Sequence, residues 1–507
     1  MKQPGDIAQS ADPRAHAVVI GSGVGGLAAA VRLGARGYRV TVLEQLDGPG
    51  GRARVHRQDG FTFDAGPTIV TAPFLFEELW DLCGRRFADE IDLRPLDPFY
   101  RIRYADGSTL DCRADDREMV AQIARLSPDD VQGYLAFLRA SEAVYGVAFE
   151  QLGSMPFDSA LRMLRLAPKL LRMQGHRSLH AVVARHVRDP RLRFALSFHP
   201  LFVGGNPFRT TAIYALISHL ERRHGVHYPI GGIGRIVDGM VGLIRGQGGA
   251  VRYRSRVASI AIERGRAVGV RLAGGEAMKA DLVVSDADAA TTYGELVGAP
   301  HARRWSPRRL RRARYSMSLF VWYFGTRGRY EDVPHHTILV GPRYRGLLRD
   351  IFDRKVLADD FSLYLHRPSA SDPTVAPEGM DAFYALSPVP DLDAGIDWTR
   401  HAEPYRRAIE ARLSATVLPG LAGRIVTSRV LTPQGFRDEL GSYRGAAFSL
   451  APNLTQSAWF RPHNRSEDVE SLYLVGAGTH PGAGLPGVLC SARVLDKVVP
   501  DASHVRS

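Results

Sequence analysis

Ala17-Val18-Val19-Ile20, followed at once by Gly21-Ser22-Gly23-Val24-Gly25-Gly26-Leu27-Ala28-Ala29-Ala30, is the stretch on which the fold turns. Four apolar residues ending at a glycine are the pattern of a strand buried on both faces of a parallel sheet. Glycines at 21, 23 and 26 give G-x-G-x-x-G, and the alanine-rich continuation predicts a helix. Tyr38-Arg39-Val40-Thr41-Val42-Leu43-Glu44 then reads as a second strand ending in a carboxylate. Gly21 allows the tight turn, Gly23 lets backbone approach a pyrophosphate, and Gly26 permits close packing of helix on strand. The helix N-terminus faces the phosphates. Glu44 is placed to accept hydrogen bonds from ribose hydroxyls, and its charge repels a 2′-phosphate. This order of elements predicts a dinucleotide site; the alternative is a glycine-rich turn with no ligand. Ser22 and Gly25 inside the turn, and Gln45 after the acid, are counted with the site.

The rest of the chain bounds the answer. With 507 residues, 45% hydrophobic and 23% charged, it has an ordinary globular composition and the length of two to four domains. A net charge of +13 predicts attraction to polyanions, either nucleic acid or an anionic membrane face. Cys83, Cys112 and Cys490 are odd in number and far apart, which argues against a disulfide framework and a zinc site and fits a reducing cytosol. The start, Met1 to Arg14, is polar and lacks the apolar run of a secretory signal. No stretch has the roughly 18 apolar residues of a spanning helix, so membrane contact is expected to be peripheral.

After Glu44 comes Gly48-Pro49-Gly50-Gly51-Arg52-Ala53, a second glycine turn whose Arg52 can bridge to a pyrophosphate. This extension resembles the flavoproteins with two dinucleotide-binding domains, which bind FAD. Gly249–Tyr253, Val257–Ile262, Ala267–Leu272 and Asp281–Ser285 read as four short strands, and Leu472–Gly478 as another buried strand running into glycines. In the flavoproteins such blocks return to complete the FAD domain, with the backbone at the position of Val257 over the adenine.

At greater length the chain resembles the bacterial-type phytoene desaturases, within the wider amine oxidase and carotenoid desaturase group. The likeness rests on Asp64-Ala65-Gly66-Pro67-Thr68, Val203–Phe208, Asp360–His366, Ser457–Asn464 and, most specifically, Leu474–Val488 with its Gly478-Thr479-His480-Pro481-Gly482 core. It implies an α/β protein: a Rossmann-like FAD-binding domain, a mixed-sheet substrate domain and a helical, membrane-facing lid. Residues 15–110, 226–298 and 465–507 are expected to form the first, 299–464 the second and 111–225 the third.

The implied activity is stepwise desaturation of phytoene, a C40 carotene, to neurosporene or lycopene. Hydride passes to flavin N5 and a proton leaves the adjacent carbon; the cofactor carries the hard step. Gly66, Pro67 and Thr68 join the cofactor residues. A carboxylate common near Gly478 in the wider group is missing, so Gly478 and Thr479 are expected to hold the ribityl chain. Gly487 and Val488, opening a helix, are expected to aim N–H groups at the flavin N1/O2 edge. His480 is the candidate catalytic group, with a hydrogen-bonding spacer as its alternative. No resident metal and no nicotinamide cofactor are expected, and electrons are expected to pass to oxygen or a quinone.

The substrate's insolubility assigns the basic charge to a membrane rather than to nucleic acid. Met155–Met173 interleaves Leu and Met with Arg162, Arg165, Lys169 and Arg172, a composition suited to lying among lipid headgroups. The alternative is a core-packing helix with a solvated basic face. Pro168 predicts two short helices there. The expected location is the cytoplasmic side of the cell membrane. Competing readings are a flavoenzyme acting on another carotenoid (isomerase, late-step desaturase or oxygenase), an amine oxidase, or a non-enzymatic prenyl-protein chaperone.

Overall fold

A computed structural model describes residues 13–505; residues 1–12, most of the stretch read for a leader, and 506–507 lie outside the described residues. β1 (His16–Ile20), α1 (Val24–Ala35) and β2 (Arg39–Leu43) form where the apolar runs and glycines place them. β1 pairs in parallel with β2 on one side and with Leu282–Ser285 on the other. Ala250–Arg252 and Leu472–Leu474 complete a five-stranded parallel sheet. Numbered along the chain, its strands lie in the order 3-2-1-4-5. In such a sheet the crevice between the first and fourth strands, at their carboxyl ends, is where ligands bind.

α1 is buried at every residue from Val24 to Leu33. It packs between the helices Ile233–Gly246 and Leu485–Val498, which its small residues allow. Its one charged member, Arg32, is paired with Glu78 at 2.9 Å and Asp496 at 2.6 Å, so the buried cation is compensated.

A second, seven-stranded mixed sheet is built around Ser318–Arg327, which is buried over all but its last residue. At one end of it lie Tyr100–Arg103 and, at the edge, Thr109–Cys112. This hairpin, expected with the first segment of the cofactor domain, instead pairs with His336–Leu339, because Tyr100 and Ile102 bury their inward side chains against the helical region. In that region the seam of the helix Val131–Tyr145 is Tyr134, Phe137, Ser141, Val144 and Tyr145. Val131, Leu135 and Leu138, expected as its apolar face, flank the seam half-buried.

Met155–Met173 contains one helix, Ala160–Arg172, that continues through Pro168. The proline removes one internal bond, whose acceptor would be the carbonyl of Leu164; Leu164 is 70% exposed, so water can serve. No residue of this helix is buried, which disfavours the core-packing alternative. No helix among the described residues is long and apolar enough to cross a membrane, and all three cysteines are unpaired.

Candidate cofactor and substrate cavity

A cavity of about 1100 Å³, above the roughly 300–1,000 Å³ of ordinary ligand pockets, begins at the glycine turn after β1 and continues into an apolar chamber. Its first part is lined by Gly21, Gly23, Gly25, Glu44, Gln45, Gly51, Arg52 and Val257, and Gly487 and Val488 lie along it. Phe194, Phe198, Phe202, Leu319, Tyr344 and Leu386 line the chamber.

The turn is held by its own acid. Glu44, 5% exposed, accepts hydrogen bonds from the Ser22 amide at 2.8 Å and hydroxyl at 2.7 Å, and from the Leu46 amide at 2.8 Å. Ser22 is therefore turned away from the cavity, toward Glu44. The second glycine turn docks on the first through the Gly50 amide, which donates to the Ser22 carbonyl at 2.9 Å. Gly26 also lies behind the cavity wall: a Cβ there would stand 2.3 Å from the Gly21 carbonyl oxygen, the close approach of helix to strand that the motif predicts.

Gly23 has a neighbour that the motif alone does not reveal. The space beside it is held by the carboxylate of Asp286, whose Oδ2 is 2.4 Å from where a Cβ on Gly23 would sit and whose Oδ1 is 2.6 Å from one on Gly25. Asp286 and Asp288 follow the fourth strand of the parallel sheet and line the cavity. Burial pushes the Asp286 carboxyl up to about 7, against the opposing pull of the Gly26 amide and the Arg52 guanidinium. Sequence reading stopped at Ser285. The available signal was an acid pair directly after a buried strand, but it gains meaning only once that strand lies next to β1.

Arg52 donates to the Ser442 hydroxyl at 2.6 Å, while its buried Nε has no partner. A dinucleotide phosphate suits this unpartnered donor beside a glycine turn. Gly478 and Thr479 do not line the cavity. Thr479, 1% exposed, gives its amide to the Gly476 carbonyl, and its own carbonyl accepts from Arg461 at 3.1 Å. Arg461 also donates to the carbonyls of Ala477 and Leu450, so the loop faces this clamp. The last helix opens at Leu485, two residues before the expected start, so Gly487 and Val488 lie within its first turn; Val488 spends its N–H on the Gly484 carbonyl at 2.9 Å, which leaves the Gly487 amide for a ligand.

Three tyrosines fix the segment Ala65–Thr68. Tyr323 donates to the Ala65 carbonyl at 2.7 Å and Tyr384 to the Gly66 carbonyl at 3.0 Å, and the Tyr364 hydroxyl lies 2.7 Å from that of Thr68. Gly66, Pro67 and Thr68 thus line the cavity on a loop held by the seven-stranded sheet. His480 also lines it, 4.7 Å from the Phe157 ring, with neither ring nitrogen hydrogen-bonded. Burial, helped by the Arg461 charge, lowers its imidazole to about 3.

The chain belongs to the flavin containing amine oxidoreductases, whose family model matches residues 24–494. It is therefore a flavoprotein, and the cofactor that this long, phosphate-adapted cavity fits is FAD. Within that class it is 52% identical over 496 residues to the neurosporene-forming phytoene desaturase of Cereibacter sphaeroides, covering 97% of this chain and 96% of that one. It is 49% identical to the lycopene-forming phytoene desaturase of Pseudescherichia vulneris, covering 94% of this chain and 97% of that one. Among solved structures, putrescine oxidase bound to putrescine shares the fold, with a TM-score of 0.64 at 15% identity, covering 96% of this chain and 99% of that one.

Proposed function

We propose that this protein desaturates phytoene stepwise to neurosporene or lycopene. The observation that carries the reading is the joining of a dinucleotide cradle to an apolar chamber in one cavity, in a chain about half identical to phytoene desaturases over nearly its whole length. FAD when bound supplies the hydride acceptor that an unactivated allylic C–H requires. The three stretches that supply the parallel sheet make up a Rossmann-like FAD-binding domain. In it Glu44 and Gln45 take the ribose end, Val257 the adenine, Gly23, Gly25, Gly51 and Arg52 the phosphates, and Gly66, Pro67, Thr68 and Gly487 the ring end. The chamber's aromatic and aliphatic walls exclude water and hold the polyene extended. A neutral imidazole at His480 shapes and solvates the site rather than taking a proton, since a group so buried is a weak base near neutrality.

The helix Ala160–Arg172 forms the membrane-facing part of the helical lid. Leu161, Leu164 and Leu171 are exposed, while Met163 and Leu170 of the same helix line the cavity. A carotene can thus pass from lipid to chamber along one helix. Electrons leave to oxygen or a quinone, and the enzyme works at the cytoplasmic face of the cell membrane. Incubation with phytoene in liposomes with added FAD, followed by chromatography, tests the reading. Coloured products with more conjugated double bonds are expected, and an unchanged substrate would overturn it.

A further inference from the structure

Desaturation in a dry apolar chamber leaves one proton per double bond to be disposed of, and His480 is a poor acceptor for it. A polar row runs from the cavity wall into the seven-stranded sheet. Tyr323, Tyr384, His366 and His336 are direct cross-strand partners over four adjacent strands. Tyr364 lies two residues from His366 and therefore on the same face. The Thr68 hydroxyl, at the cavity, is 2.7 Å from the Tyr364 hydroxyl, which is 2.6 Å from His336 Nδ1. Beyond His336, His366 Nε2 is 3.1 Å from His335 Nε2, and His335 Nδ1 is 2.8 Å from the hydroxyl of Ser371, a partly exposed residue.

The geometry points to a proton path from the cavity to the surface through Thr68, Tyr364, His336, His366, His335 and Ser371. This inference rests on the desaturase reading for its proton source. Its one unbonded step lies at His336, whose buried Nε2 has no partner. There one nitrogen from each of the three rings lies within 4.8 Å of the others. These nitrogens offer a bridging water three partners, the number a buried water commonly has. Burial holds all three imidazoles well below their ordinary range, so none rests as an imidazolium, and each passes a proton only by accepting at one ring nitrogen while releasing at the other. Three buried imidazoles are also a donor set that zinc accepts, so the metal content of the protein decides between a relay and a metal site.

The balance is simple. One C–H bond breaks with its electron pair leaving as hydride to the flavin; the neighbouring C–H breaks with its pair forming the new C=C. That second proton enters the path at Thr68, and each hydroxyl or imidazole accepts one proton and releases another. The final proton leaves from Ser371 to solvent.

The test uses FAD-loaded full-length protein, wild type and Tyr364→Phe, a change that keeps the ring and removes the relay hydroxyl. In one arm, anaerobic single turnover on phytoene in liposomes is followed by flavin bleaching and by a pH-indicator dye in weak buffer. In the other, reduced methyl viologen, whose oxidation releases no proton, reduces the bound flavin without any carotene, which draws one proton inward for two electrons. Wild type is expected to exchange its proton in step with bleaching in both arms. Compared at equal FAD occupancy and with bleaching as its own control, the variant is expected to exchange its proton at least tenfold later than it bleaches, as is His336→Asn. Synchronous proton exchange in Tyr364→Phe, or a stoichiometric metal lost on His336→Asn, overturns the path. If wild type ignores phytoene, the desaturase reading fails while the viologen arm still decides the path.

Discussion

The carboxylate of Glu44 accepts both the amide and the hydroxyl of Ser22, at 2.8 and 2.7 Å, so the acid that ends β2 also sets the shape of the glycine turn that ends β1. The ribose-binding role proposed for Glu44 would thereby be coupled to a folding role. Glu44→Ala is expected to weaken FAD binding by roughly 1.5–3 kcal/mol and, unlike a pure ligand contact, to destabilise the apoprotein by about 1–3 kcal/mol through unpaired buried amides. FAD titration together with urea unfolding of the apoprotein checks both. Unaltered apoprotein stability would defeat the coupling.

Asp286 makes FAD binding sensitive to pH. Its carboxyl is pushed to about 7 by burial, and an anionic pyrophosphate nearby favours the protonated form further. Affinity should therefore fall as pH rises through 7, by about tenfold between pH 6 and 8, which corresponds to about 1.4 kcal/mol. The folded apoprotein holds this proton more tightly than the unfolded chain, whose value is near 3.8. Its contribution to stability is thus full below that value, declines as pH rises toward 7 and is gone above it. Asp286→Asn should flatten both dependences relative to wild type.

Among the four cations of the exposed helix, Arg162 pairs with Asp158 at 3.3 Å and Lys169 donates to the Gln151 side chain. Arg165 and Arg172 are exposed and make no such bond. At about 1 kcal/mol per cation, changing Arg165 and Arg172 together to Gln should weaken sedimentation with anionic liposomes about thirtyfold and flatten its salt dependence. FAD content should stay unchanged. Equal binding by the variant would free this helix of a membrane role.

His480→Asn should reduce turnover on liposome-borne phytoene by less than about tenfold, where loss of a general base costs about 10²–10⁴-fold. With the imidazole lowered to about 3, no inflection of the rate between pH 5 and 8 should disappear in the variant. A thousandfold loss with such a disappearance would restore His480 as the base.

Much of the cofactor end was legible in the sequence because it is built from local rules. A run of four apolar residues, glycines at fixed spacing and a terminal acid specify a strand, a turn and a helix start within about thirty residues, and Gly26, where a Cβ would stand 2.3 Å from the Gly21 carbonyl oxygen, answers directly to that spacing. Membership of the flavin family was legible for the same reason. Asp286 was not, since its importance comes from the fourth strand settling beside β1, across some 260 residues of chain. Gly478 and Thr479 were misplaced because the direction of their loop is set by Arg461, through hydrogen bonds to backbone carbonyls that carry no side-chain signature. The row Tyr323, Tyr384, His366 and His336 depended wholly on tertiary structure. A slip of one residue in any of its strands would send that side chain to the opposite face, and register across four strands is decided by the packing of the whole sheet.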